Sequence, residues 1–268
     1  GAAQVYGAGI TWNIIDARGD FNGDGKSDII LRNDSGTIVL WQMNGTQVGA
    51  AQAYGAGTAW NIVDGRSDYN GDGMSDILLR DTNGTLLIWQ MNGTQISTSQ
   101  VYGAGTAWNV VDSRGDYNGD GKNDLLLRNA DGTILVQQMN GTQVAASMAF
   151  GLGLDWTVVD GRADYNGDGK SDILLRNSGS GSIVLWQMNG TQIGASQTYG
   201  AGTAWNIVDS RADFNGDGKS DILLRNDDGT LLLWQMNGTQ IGASQTYGAG
   251  TAWNIVDSRG DYNGDGKS

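Results

Sequence analysis

The sequence contains no cysteine, no proline, no histidine and no glutamate. Without cysteine, disulfide bonds cannot hold the chain together. Because histidine, cysteine and glutamate supply most nucleophiles, general bases and transition-metal ligands, their absence predicts that these 268 residues are not an enzyme. The sequence also lacks an apolar run of about 18 residues, so we expect no membrane insertion.

All 29 acidic residues are therefore aspartate, and the formal net charge is −13. Aspartate favours turns and short-armed oxygen ligation, and it is a poor residue for helix interiors. A chain this acidic repels phosphate backbones, so we expect no nucleic-acid partner. The 44 glycines recur at fixed places, which indicates repeated turns rather than a flexible linker.

An aspartate-rich loop begins at residues 20, 68, 116, 164, 213 and 261, so the repeat is 48 or 49 residues long. Periods of about 40 to 50 residues are typical of propeller blades. We predict a single repeat domain over residues 1–268, with five complete units and a partial sixth. Three arrangements remain open: five blades with a redundant end, six blades with one incomplete, or part of a longer array.

Each unit has the pattern of four short strands. In the fifth unit we predict strands at 205–209, 221–226, 230–238 and 239–248, because β-branched and aromatic residues dominate them and glycine or asparagine separates them. The Asn-Gly pair at 237–238 predicts a hairpin between the last two strands. No segment has helical periodicity. The predicted fold class is all-β, a β-propeller of four-stranded antiparallel blades.

The aspartate loop has the spacing of a calcium loop. Its first copy places oxygen side chains at positions 1, 3, 5 and 9, which are Asp20, Asn22, Asp24 and Asp28. Glycine at position 6 permits a sharp turn, and the residue at position 7, Lys26, would donate only its carbonyl. An EF-hand has glutamate at position 12, whereas this loop has Leu31, so Asp28 must close the site. This hard oxygen set favours calcium, with magnesium as the alternative.

This loop, preceded by "YGAG" and a tryptophan, resembles the FG-GAP/VCBS repeats. These are the calcium-binding blades of integrin-α-like propellers and of many secreted bacterial proteins. The resemblance implies about five Ca²⁺ per chain and a secreted or cell-surface location. The implied ligands beyond the first loop are Asp68, Asn70, Asp72, Met74 and Asp76; Asp116, Asn118, Asp120, Lys122 and Asp124; Asp164, Asn166, Asp168, Lys170 and Asp172; Asp213, Asn215, Asp217, Lys219 and Asp221; and, in a sixth loop that lacks position 9, Asp261, Asn263 and Asp265.

A second recurring segment reads "YGAGTAW" and links one unit to the next. Its aromatic residues are Tyr54, Trp60, Tyr102, Trp108, Tyr199, Trp205, Tyr247 and Trp253. We expect it on the face opposite the metal loops, beside turns such as "RNDDGT". Its rings either seal one blade against the next or stack against sugars in a shallow pocket.

Three further motifs have simpler interpretations. The arginines at 32, 80, 128, 176 and 225 are expected to pair with carboxylates. The aromatic residue at position 2 of each loop is expected in the core. The three "RGD" triplets each place their aspartate at position 1 of a metal loop, where the predicted ion would occupy it.

The sequence thus predicts a calcium-stabilised extracellular binding or adhesion module. Identical units suit multivalent binding to polysaccharide or glycoprotein glycans, because repeated weak sites gain avidity. The alternative is a calcium-stiffened scaffold that self-associates without a small-molecule ligand.

Overall fold

The computed structural model describes residues 11–268, which fold into twenty β-strands. The start of the first repeat, residues 1–10, lies outside the described residues. The strands form five separate four-stranded sheets, and each sheet keeps its four strands in chain order. We call these sheets blades 1 to 5. Residues 11–268 include no helix that is long and apolar enough to cross a bilayer.

Each blade is built from four consecutive strands. Blade 1 contains β1 (Trp12–Gly19), β2 (Asp28–Asn33), β3 (Thr37–Asn44) and β4 (Gln47–Gly55). Blade 2 contains β5 (Trp60–Ser67), β6 (Asp76–Asp81), β7 (Thr85–Asn92) and β8 (Gln95–Gly103). Blade 3 contains β9 (Trp108–Gly115), β10 (Asp124–Asn129), β11 (Thr133–Asn140) and β12 (Gln143–Gly151). Blade 4 contains β13 (Trp156–Ala163), β14 (Asp172–Asn177), β15 (Ser182–Asn189) and β16 (Gln192–Gly200). Blade 5 contains β17 (Trp205–Asp209), β18 (Ile222–Asn226), β19 (Thr230–Asn237) and β20 (Gln240–Gly248).

The hairpin between the third and fourth strands differs from the predicted Asn-Gly turn. In blade 5, Asn237 pairs with Gln240, so the two central residues are Gly238 and Thr239. Gly238 has a φ of 64°, and no described residue other than glycine has a positive φ. This is the pattern of a type II′ turn, which needs a positive φ only at its first central residue. Type I′ would need one at Thr239 as well.

The chain divides into two compact units. The first unit runs to Arg114 and includes Gly121–Asn129 and Met139–Ala146, and the second unit contains the remainder. The second and third strands of the blades supply most of the buried side chains. The core of the first unit joins Phe21, Ile30, Ile38, Leu40, Ile77, Leu79, Trp89 and Met91. The core of the second unit joins Tyr165, Leu174, Ile183, Leu185, Ile222, Leu224, Trp234 and Met236 with neighbours.

Glycines allow the turns of one blade to meet the segment that enters the next blade. A Cβ added to Gly36, in the turn between β2 and β3, would lie 2.1 Å from the backbone carbonyl of Gly57. Gly36 also has a φ of 81°. The same approach joins Gly229 to Gly250 in the second unit. The "YGAGTAW" segment therefore lies beside the "RNDDGT"-type turn, as predicted.

Candidate metal loops

The aspartate loop connects the first and second strands of every blade. Positions 3 to 7 form a turn at the surface whose positions 4 to 6 are exposed, and position 9 enters the core at the start of the second strand. The glycines at positions 4 and 6 both adopt positive φ, with values of 70° at Gly23 and 78° at Gly25. These two residues turn the loop back on itself, which the sequence predicted only for position 6.

The carboxylate at position 1 lies inside this turn and accepts backbone N–H groups. Oδ1 of Asp20 accepts from Gly23 at 2.8 Å and from Asp24 at 3.2 Å, and Oδ2 accepts from Gly25 at 2.7 Å. The loops that begin at 68, 164, 213 and 261 have the same three bonds. The turn is therefore organised around its first aspartate.

The carboxylate at position 9 is completely buried. Oδ2 of Asp76 accepts the N–H of Tyr69 at 3.0 Å, and Oδ1 accepts the N–H of Met91 at 2.9 Å. It thus fixes the loop to the third strand of its own blade. Asp28, Asp172 and Asp221 make the equivalent bonds.

This burial makes the position-9 carboxylate costly to ionise. The pKa of Asp76 is raised to about 7, mainly by burial. The negative charges of Asp68 and Asp72 add to the increase, and the two backbone donors oppose it. The pKa of Asp172 is likewise raised to about 7, and those of Asp28 and Asp221 are raised as well. Each of these loops therefore brings together three carboxyl groups, one of which is shielded from water.

Lysine at position 7 supplies a nearby cation in several loops. Lys26 Nζ lies 3.0 Å from Oδ2 of Asp24. The corresponding distances are 3.6 Å between Lys170 and Asp168 and 3.4 Å between Lys219 and Asp217. The second loop has Met74 at this position and so lacks this partner.

The donor set fits a hard cation, because it consists of carboxylate and amide oxygens without sulfur or imidazole. Within residues 11–268, however, no three acidic side chains converge as a preformed metal site. The position-1 and position-9 oxygens point instead at backbone N–H groups. Oδ2 of Asp20 and both oxygens of Asp76 accept one N–H group each, and a carboxylate oxygen has a second lone pair that can bind a metal ion.

Consecutive loops are joined by reciprocal hydrogen bonds. In the first unit, the N–H of Ser75 donates to the carbonyl of Asp20 at 2.6 Å, and the N–H of Asp20 donates to Ser75 Oγ at 3.0 Å. Asn123 replaces serine in the equivalent contact with Asp68. In the second unit, Ser171, Ser220 and Ser268 bond in this way to Asp116, Asp164 and Asp213. Position 8 of one loop thus holds position 1 of the preceding loop.

The partial sixth loop folds its turn like the others. Asp261 accepts the N–H groups of Gly264, Asp265 and Gly266, at 2.6, 3.1 and 2.8 Å. Asn263 donates to Asp265 at 3.1 Å.

The aromatic residues at position 2 of the first four loops are in the core, as predicted. Phe21, Tyr69, Tyr117 and Tyr165 have no exposed surface. Tyr262 of the sixth loop is 86% exposed.

The aromatic rings of "YGAGTAW" pack between blades. In the first unit, the ring of Tyr54 lies 5.3 Å from that of Trp89, and its hydroxyl donates to the carbonyl of Thr94. In the second unit, Tyr199 lies 5.4 Å from Trp234 and donates to Thr239 at 2.7 Å. Trp60, Trp108 and Trp205 are half-buried, as is Tyr102, whereas Tyr247 and Trp253 are exposed. These contacts match the interpretation that the rings seal blade against blade.

The second-strand arginines were predicted to pair with carboxylates, and this is wrong for those with described contacts. The guanidinium of Arg32 donates to the backbone carbonyls of Gly57, Thr58 and Trp60, the last at 2.7 Å. Arg80, Arg176 and Arg225 bind the same segment of the following repeat. A glycine-rich turn leaves carbonyls without ladder partners, and the arginine satisfies them.

A series of ion pairs joins a first-strand aspartate of one repeat to an arginine of the next, and these pairs were not predicted from the sequence. Arg66 Nε lies 2.6 Å from Asp16 in the first unit, and Arg211 Nε lies 2.5 Å from the buried Asp160 in the second. The Arg114–Asp64 and Arg259–Asp209 pairs repeat the contact at 3.4 and 2.7 Å. In each pair the arginine follows the aspartate of a "WNIVD"-type strand by about one repeat. This constant spacing could have predicted the ion pairs from the sequence. Arg114 and Arg259 also belong to "RGD" triplets, so these triplets are engaged within the fold.

Comparison with known proteins supports the repeat assignment. Residues 213–268 match the family model described as FG-GAP-like repeat, so the resemblance inferred from the loop motif is confirmed there. The chain is similar to the WD40 domain of SCAP from fission yeast, with 12% identity and a TM-score of 0.53, covering 88% of this chain and 56% of that one. It is also similar to the WD40 domain of Toxoplasma gondii coronin, with 12% identity and a TM-score of 0.46, covering 87% and 58%.

The chain thus spans less than two thirds of these structures. At this identity the first similarity shows the fold alone, and that fold is a β-propeller. No curated protein matches the sequence.

Proposed function

We propose that this array of FG-GAP-like repeats is a calcium-stabilised β-propeller that acts outside the cell as a binding or adhesion module. The observation that carries the calcium proposal is the buried carboxylate at position 9. Asp76 and Asp172 each lie completely buried near two other carboxylates of their loop. A divalent cation offsets that charge, and the positive-φ glycines at positions 4 and 6 give the loop the curvature to surround an ion.

Calcium at these loops would stabilise the fold. Extracellular modules bind calcium with dissociation constants of about 10⁻⁴ to 10⁻³ M. At about 1 mM calcium and a dissociation constant near 0.1 mM, each site adds roughly 1.4 kcal/mol. Five independent sites would add about 7 kcal/mol, which is comparable with the net stability of a whole domain. Because neighbouring loops share hydrogen bonds, an ion in one loop would also stabilise its contact with the next.

Isothermal titration calorimetry of chelator-stripped protein tests this proposal. We expect about five ions per chain, and an absence of binding at millimolar calcium would refute it. Met74→Lys should weaken one site, because it adds a competing cation beside Asp72. Lys170→Met is the matched opposite change and should strengthen one site by removing the cation near Asp168. If both variants bind calcium with the same affinities as the wild-type chain, the predicted role of the loop charges is contradicted.

A glycan ligand remains a proposal that rests on the half-buried indoles. Trp60, Trp108 and Trp205 recur once per repeat and keep part of their surface exposed. Such rings stack against the apolar faces of sugars, and their repetition suits a multivalent surface. A glycan array with the chain and with Trp108→Leu tests this idea. Reproducible binding that the variant loses supports the module, and no binding on any glycan favours the scaffold alternative.

A further inference from the structure

The fourth strand of each blade is an open sheet edge that carries no charge. β4, β8, β12, β16 and β20 each pair with only one neighbour, the third strand of the blade. Not one of these strands contains an aspartate, lysine or arginine, although the chain has a net charge of −13. Most of their residues are exposed. Natural proteins usually protect such edges with charges, proline or bulges, because an open edge pairs with other strands.

A glutamine performs this protection in four of the five strands. Gln52 donates its side-chain amide to the backbone carbonyl of the next residue, Ala53, at 3.0 Å. Gln100, Gln197 and Gln245 make the same bond, each at 3.0 Å. In an antiparallel pair, alternate residues turn their N–H and C=O groups away from the partner strand. The glutamine amide therefore occupies an acceptor that an incoming strand would use.

Blade 3 departs from this pattern, because Met148 stands where the other strands have glutamine. Methionine has no side-chain donor, so it cannot satisfy the carbonyl of Ala149. The Met148 side chain is 40% exposed. The following Phe150 packs against Trp186, with 5.1 Å between ring centroids, so this stretch of edge is held in place. The segment Ser147–Gly151 is thus an ordered edge with an uncapped acceptor and an exposed apolar side chain.

We propose that Ser147–Gly151 pairs edge to edge with the same segment of a second copy of this chain. Charge favours this occupant, because a net charge of −13 makes two copies repel each other at their charged surfaces, whereas this segment is uncharged. An antiparallel pair of identical strands obeys twofold symmetry and is self-complementary in its backbone donors and acceptors. The contact is short, so the dimer is weak and forms at high protein concentration.

Sedimentation velocity over a wide concentration range tests the proposal. The wild-type chain should approach a dimer as its concentration rises, and Met148→Gln should weaken association about tenfold or more. Gln100→Met should do the reverse, because it uncaps a second edge and gives each chain two pairing sites, which allows larger assemblies. Gln52→Lys is a control that keeps a side-chain donor and adds a charge to an edge that is already capped, and it should leave the dimer unchanged.

Circular dichroism and melting curves establish that each variant is folded, and the series is run in calcium and in chelator so that the outcome does not depend on the calcium proposal. A wild-type chain that stays monomeric at the highest concentration overturns the proposal. Association that Met148→Gln leaves intact also overturns it, because another surface, or another occupant of this edge, is then responsible.

Discussion

The buried carboxylates predict an unusual dependence of stability on pH in the absence of calcium. The pKa of Asp76 and of Asp172 rises from 3.8 in the reference state to about 7 in the folded chain. A folded-state pKa above the unfolded value means that the folded chain binds more protons between these limits. Stability is therefore greatest below about pH 4 for these groups and is lost as the pH rises toward about 7.

The magnitude follows from the same values. At neutral pH the penalty is on the order of 4 kcal/mol for each carboxylate, since one pH unit corresponds to about 1.4 kcal/mol. Between about pH 5 and about pH 7.5 the expected loss is roughly 2 to 3 kcal/mol for each group. Bound calcium compensates the ionised form, so the loss should shrink or disappear when calcium is present.

Urea unfolding at these two pH values, in chelator and in calcium, measures the effect directly. Asp72→Asn is an informative companion variant, because it should stabilise the chain without calcium and destabilise it with calcium. In chelator at the higher pH it should stabilise the chain by about 1 kcal/mol, since it removes a like charge near Asp76. In calcium it should destabilise the chain, since it removes a ligand. Metal-free protein whose stability is constant or rises over this pH range would refute the reasoning.

Two other predictions concern the contacts between blades. Arg211→Met should cost about 3 kcal/mol or more, because it leaves the buried Asp160 carboxylate without its cation. Arg18→Met, at the equivalent exposed position, is the control and should have little effect in the same thermal unfolding assay. Gly36→Ala should lower the stability of the fold by several kcal/mol, on the order of the largest single-residue effects. The reason is that its Cβ would lie 2.1 Å from the Gly57 backbone. A melting temperature within about 2 °C of wild type would contradict this close approach.

Much of this architecture was predictable because it is local and repeated. The strands of blade 5 were predicted to within a residue or two, since alternating β-branched residues and glycine breaks define each strand within its own few residues. The loop was predictable for the same reason, because Asp20 and Gly25 act on a turn of fewer than ten residues. The turn at Gly238 was misassigned by one position, since its type depends on which residues pair across the hairpin.

Contacts between repeats were not predictable in this way. Arg32 binds carbonyls about 25 to 28 residues ahead, and Asp16 pairs with an arginine 50 residues away. Repetition marks such residues as important but does not identify their partners, because every repeat offers the same candidates.

The sequence alone therefore determined the repeat, the blade strands, the acidic loop and the edge strands without charge, since each of these depends on residues close together in the chain. Only the tertiary structure decided that Asp76 turns into the core and acquires its raised pKa, because that requires the third strand to supply the Met91 N–H. It also decided that the aromatic rings are shared between blades and that the fourth strand of each sheet is left as an edge. These outcomes depend on which strands and surfaces folding brings together, within a blade for Asp76 and between blades for the aromatic rings, and short sequence patterns do not specify those contacts.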